Sequence, residues 1–251
     1  DAGNTVILVA QELTMCAPTL SSETNALLPI KIPFLSLEER IRTFRALEKE
    51  SGRDALCPSL DTYARISSGL SRRNLTQIVR ETIFMGQPLD EGRIFARKKQ
   101  HLEEASFGML SLYRPIWGMQ AIGALRDKKD YLIRVAEAMR KGDHFGVPQG
   151  IGLFGPPGTG KTVSVEALSY TSGIPFARWR NIRNMFVGES ERRVEYIFDL
   201  VINYIPLILF VDEMDEEFLM RGMVYHGDAG TTARIQKKFL EVFSDTNLRG
   251  K

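Results

Sequence analysis

The chain has 251 residues, of which 43% are hydrophobic and 25% charged, and its 33 basic side chains nearly cancel 31 acidic ones, leaving a formal charge of +2. That composition predicts one large or two small globular domains with a packed core, and it speaks against the concentrated basic face that nucleic-acid binding requires. Cys16 and Cys57 have neither zinc-ligand nor disulfide-framework spacing, the opening DAGNTVILVAQ lacks the basic start and long apolar run of a secretory leader, and no apolar stretch approaches the roughly 18 residues of a membrane span. A cytoplasmic location is expected.

The run TVILVA at residues 5–10 and PIKIPF at 29–34 read as short strands separated by a polar, irregular stretch. Ser36 with Glu39 three residues on makes a capping box. It opens a helix whose Ile41, Phe44 and Leu47 keep helical spacing, and Gly52 stops it. Two further helices are expected over about 60–67 and 71–85, the second with Leu75, Ile78, Val79 and Ile83 on one face. The charged segment 86–112, with Arg93, Arg97, Lys98 and Lys99, reads as a linker with some helix and a solvated face.

From there the rhythm changes to strands alternating with helices. A helix within 123–142 precedes a strand GIGLF, and a helix over 161–172 is stopped by Gly173. A strand IPFARW, an amphipathic helix over about 190–203 and the strand LILFV follow, the last ending in DEMD. That alternation predicts an α/β unit with a parallel sheet covered on both faces.

GLFGPPGTGKT carries the phosphate-loop pattern G-x-x-x-x-G-K-[ST] through Gly155, Gly160, Lys161 and Thr162, between an expected strand and an expected helix. Glycines let backbone N–H groups turn inward as an anion nest, and the helix N-terminus adds partial positive charge. The binding residues expected for ATP are Gly155, Pro157, Gly158, Thr159, Gly160, Lys161, Thr162 and Val163. Lys161 would reach the β- and γ-phosphates and Thr162 would ligate Mg²⁺. Asp212 and Glu213 leave the carboxyl end of LILFV, where α/β sheets place their ligands. Asp212 is expected to hold Mg²⁺; Glu213 and Lys161 are the expected catalytic residues, Glu213 polarising the attacking water and Lys161 meeting the terminal phosphates. No N-K-x-D run for guanine is present, which favours ATP.

GLFGPPGTGKT, MFVGESERRVEYIF and LILFVDEMD together resemble the AAA family of ring-forming ATPases. The resemblance implies a P-loop NTPase fold, assembly as a homo-oligomeric, hexameric ring, and a protein or peptide substrate gripped by a first pore loop at Phe186, Val187 and Gly188. IWGMQAI resembles the segment whose backbone lies against adenine, which makes Gly118 a further binding residue. The first residues resemble the other half of the same module: TVILVA a sensor strand ending at Gln11, IKIPFLSLEERIRTF and SSGLSRRNLTQIVRETI the helical lid. With Gln11 at the sensor position and no Arg between Gln11 and Leu28, that module looks degenerate, as in a plastid-encoded branch of the family, so a plastid stroma is a second expected location.

The implied organisation is the tail of a degenerate module at 1–85, a linker at 86–112, and the head of an active module at 113–251 whose own sensor and arginine fingers would follow Lys251. A rearranged arrangement, in which the first half supplies strands and lid to the second, stays open. The expected function is Mg²⁺-ATP-dependent remodelling or threading of proteins through a central pore. The alternatives are a nucleotide-binding switch or scaffold ring without threading, and a nucleic-acid motor with Arg178, Arg180 and Arg183 as its footprint.

Overall fold

The computed structural model describes residues 30, 32–52, 59–123, 126–180, 191–212, 237, 240–245 and 248. Its first part is helical. Helix α1 (Leu37–Ser51) begins as the capping box requires: the Ser36 hydroxyl accepts the Glu39 N–H at 3.2 Å and the Glu39 carboxylate accepts the Ser36 N–H at 2.7 Å. Gly52, left-handed at φ 64°, ends it. Helices α2 (Leu60–Ile66) and α3 (Arg72–Phe84) follow, α3 capped by the Ser71 hydroxyl on the Asn74 N–H. Phe44, Leu47, Tyr63, Ala64, Leu75, Ile78 and Val79 bury against one another as the core of this part. The expected apolar face of α3 is therefore its packed face. The described residues of PIKIPF form no strand, and Ile30 and Ile32 are exposed. The run at 5–10 lies outside the described residues.

The segment expected as a linker is packed structure. Asp90 caps helix α4 (Glu91–Ala105), which buries Ile94, Lys98 and Leu102, and strand β1 (Leu110–Tyr113) follows. Ile94 belongs to the helical core and Leu102 to the core beneath the sheet, so α4 joins the two. Its four clustered cations suggested a solvated helix, but the spacing of Ile94, Lys98 and Leu102 puts one stripe inward.

The second part contains α5 (Arg126–Lys141), α6 (Lys161–Ser172), β2 (Phe176–Trp179), α7 (Glu191–Asn203) and β3 (Ile208–Val211). Strand β2 lies between the other two, parallel to β3 but antiparallel to β1. The wholly parallel sheet expected from the α/β rhythm is thus mixed, because β1 comes from the segment ahead of that rhythm. Helix α7 is the crossover between the parallel pair, and its Ile197, Phe198 and Val201 pack with Trp179, Leu110, Leu112 and Ala177. Strand alternation puts Leu110, Leu112, Ala177, Trp179, Leu209 and Val211 on that face. The opposite face carries Ser111, Tyr113, Phe176, Arg178, Ile208 and Phe210. A third cluster, of Met119, Leu132, Val135, Ala136, Ala167 and Leu168 with Ile208 against it, ties α5 and α6 to β3.

GIGLF is not a strand. Residues 150–155 take no part in the ladder, and Phe154 is 94% exposed. A strand needs a hydrogen-bonding neighbour, and the described sheet supplies none to this segment.

Candidate functional site

The glycine loop runs into α6 as its sequence pattern requires. Gly155, Gly158 and Gly160 hold φ values of 153°, 79° and 84°, a region side chains rarely enter, so a substituent at these positions would strain the turn. The Thr159 hydroxyl donates to the Pro156 carbonyl at 2.9 Å and closes the loop. Residues 155–159, Pro157 among them, are exposed, while Thr162 is half-buried and Val163 is exposed on the first turn of α6. Gly160 is the N-cap, and no side chain caps the helix; the first turn holds no acidic residue. The end of α6 therefore presents backbone donors and the positive pole of a three-turn helix to the loop. Lys161 folds back, its Nζ donating to the Gly155 carbonyl at 2.6 Å and the Pro156 carbonyl at 3.1 Å.

Asp212 stands one residue past β3. Its carboxylate accepts a 2.6 Å hydrogen bond from Nη2 of Arg178 in β2, with both side chains part-exposed. Arg178 entered the sequence reading only as a nucleic-acid footprint; its place beside the acidic strand is a finding of the fold. The signal is the register: Arg178 lies opposite Phe210, and alternation brings Asp212 back to the same side two residues later. The arginine's Cζ sits 5.8 Å from the Phe210 ring centroid.

Gly118 precedes a short 3-10 turn (Met119–Ala121) that packs on α6. A Cβ on it would fall 2.7 Å from the Tyr170 ring, so the backbone of the expected adenine segment lies directly on the helix that starts at the loop. Glu213 and the pore-loop residues Phe186, Val187 and Gly188 lie outside the described residues.

The donors suit Mg²⁺. A Thr hydroxyl at the start of α6 and a carboxylate at the end of β3 are hard oxygens, and Mg²⁺ takes only one or two protein ligands alongside phosphate and water. Among the described residues no group of three or more His, Cys, Asp or Glu side chains could hold a metal ion. No described helix is long and apolar enough to cross a membrane.

Residues 151–251 match the family of ATPases associated with various cellular activities, AAA. An α/β P-loop NTPase fold and nucleotide binding are what that family carries. More particularly, the chain is similar to the uncharacterised AAA domain-containing protein ycf46 of Guillardia theta, at 26% identity over 250 residues, which are 96% of this chain and 48% of that protein. The ycf46 protein of Trieres chinensis is 28% identical over 75% of this chain and 39% of its own length. Shorter matches include the nuclear valosin-containing protein-like protein of Mus musculus, 43% identical over 38% of this chain and 12% of that one. Another is the ATP-dependent zinc metalloprotease FtsH 1 of Salinibacter ruber, 36% identical over 45% and 17% respectively. The chain spans about half the length, or less, of these relatives.

Proposed function

We propose that the chain is part of a Mg²⁺-ATP-dependent ring ATPase that remodels or threads protein substrates through a central pore. The observation that carries this reading is the open, glycine-built loop at 155–160 feeding an uncapped helix N-terminus, inside the segment that matches the AAA family. In this reading Lys161 leaves two neutral carbonyls for the β- and γ-phosphates, exchanging weak hydrogen bonds for charge-assisted ones. The amides of residues 158–162 hold the phosphate oxygens, and the backbone at Gly118 lies against adenine. Mg²⁺ held by Thr162 and Asp212 would neutralise charge on the transferring phosphoryl group. Glu213 takes the proton of the attacking water. Phe186, Val187 and Gly188 line the pore and grip an extended polypeptide, with identical subunits completing the ring.

The ycf46 match runs across 96% of the chain and so includes the helical first half. That extent supports reading residues 1–85 as the lid-bearing tail of a preceding, degenerate module and 113–251 as the head of an active one. Names among the relatives, an ATP-dependent protease and a valosin-like protein, favour protein over nucleic acid as the substrate class.

The test is ATP turnover by the chain and by its Glu213→Gln variant. We expect slow turnover by the parent, faster where arginine fingers are supplied, and ATP retained without hydrolysis by the variant. Tight ATP binding with no turnover in either, and none by a longer stretch of the protein that carries the arginine fingers, would overturn the hydrolase and leave a nucleotide-binding switch.

A further inference from the structure

We propose that Arg178 is a built-in competitor for Mg²⁺: it occupies the Asp212 carboxylate and must release it before the metal can be held. The inference rests on reading Asp212 as a metal ligand. Three observations place the arginine for this work. Its Nη2 donates to Asp212 Oδ2 at 2.6 Å, the short separation of a charge-assisted bond. The pair is part-exposed, at 41% and 32% of the two side chains, so the bond can open to water at low cost and its strength is that of a surface ion pair. The arginine also has somewhere to go. Its stem runs along the sheet face shared with Phe176 and Phe210, and its guanidinium already sits over the Phe210 ring. Phe210 is itself fixed edge-on to Phe176, which stacks on Tyr113 at 5.3 Å. Displaced from Asp212, the guanidinium can stay on this aromatic row.

The physical reason for competition is charge. A guanidinium 2.6 Å from an oxygen of Asp212 cancels the negative potential that draws a divalent cation, and it uses a lone pair that a metal-bound water would otherwise donate to. The consequence is a site that takes metal with a delay in concentration: Mg²⁺ binding is weaker than the oxygen donors alone would give, by the worth of one half-exposed ion pair.

The probe is Mn²⁺, followed by the loss of its free-ion EPR signal, titrated into the chain at saturating ADP and moderate ionic strength. Arg178→Gln should lower the half-saturating Mn²⁺ concentration by roughly two- to fivefold, the size expected for an exposed pair. Arg178→Lys should give a smaller gain, because a point charge replaces the planar fork. Asp212→Asn, measured beside them, should raise the half-saturating concentration. An unchanged or higher Mn²⁺ requirement in Arg178→Gln, with Asp212→Asn still weakened, overturns the competition alone and makes Arg178 a strut that positions the carboxylate. If Asp212→Asn binds Mn²⁺ like the parent, the metal reading of Asp212 fails and takes the competition with it.

Discussion

The ammonium of Lys98 is buried 2.7 Å from the Ser68 hydroxyl and 3.3 Å from the Tyr204 carbonyl, joining α4 to the end of α7. Both hydrogen-bond partners are neutral, and the Tyr204 ring lies 5.5 Å away. Ser68 also donates to the Tyr204 carbonyl at 3.0 Å, and His101 bonds the Tyr204 hydroxyl. The cluster ties the helical part to the residue just ahead of the segment entering β3.

Burial, with Arg40 nearby adding repulsion, pulls the Lys98 pKa down from 10.5 to about 7. The unfolded chain therefore holds one more proton than the folded chain between about pH 7 and 10.5, and stability from this group rises with pH across that window. Below pH 7 the cost of the buried charge is carried in full. Burial pushes Tyr204 the other way, up from 10, so above pH 10 its effect is a fall in stability. Burial also lowers the His101 pKa, placing its effect at more acid pH. The melting temperature should climb from pH 7 to about 9.5, and Lys98→Met should flatten that climb without loss at pH 7, since an apolar side chain of similar length replaces a desolvated charge. An equally steep climb in Lys98→Met would refute the assignment.

Gly69→Ala should be strongly destabilising. Gly69 sits at φ +80°, and a Cβ there would lie 2.5 to 2.7 Å from three Tyr204 ring atoms. The left-handed backbone costs about 1–2 kcal/mol for a side chain, and overpacking a fixed ring adds about 1–3 kcal/mol. Urea unfolding should show a loss of roughly 2–5 kcal/mol; a loss near zero would mean that Tyr204 swings aside freely.

How legible the fold was depended on where each residue's partner lies. Ser36 and Glu39 are three apart, so the capping box was readable as sequence, and so were the face of α3 and the stop at Gly173. The phosphate-loop pattern is equally local. The inward stripe of α4 is not legible in the sequence because Lys98 looks like its neighbours Arg97 and Lys99, and only Ser68 and Tyr204, distant in sequence, make it a core residue. The strand GIGLF has the right composition, but strand formation depends on a neighbour that no local pattern specifies. Arg178 illustrates the same limit at the site: its partner Asp212 becomes visible only once β2 and β3 are known to pair in parallel.

Lys161→Ala should weaken ATP binding at least about tenfold, the usual size of a lost hydrogen bond to a charged group. Lys161 bonds the carbonyls of Gly155 and Pro156, which are exposed, so its removal should leave the melting temperature nearly unchanged. Calorimetric titration with ATP beside a thermal melt separates the two effects. ATP affinity equal to the parent's would remove Lys161 from the phosphate site.

Phe186→Ala tests the pore. The motivation is sequence: an aromatic, Val187 and Gly188 run directly into ESE, ahead of α7, where the AAA resemblance puts a substrate-gripping loop. A phenylalanine buried in a core loses about 3–5 kcal/mol on truncation to alanine. A phenylalanine on a pore loop has no such contacts to lose, so the variant should melt like the parent and bind ATP like the parent. Its deficit should appear only when a polypeptide has to be moved: ATP-dependent unfolding of a tagged, loosely folded substrate should fall away while basal ATP turnover persists. The two assignments predict opposite pairs of results, so both measurements are needed on the same preparation. A stability loss of about 3 kcal/mol or more would seat Phe186 in the core, and full unfolding activity at parental stability would take it out of the pore.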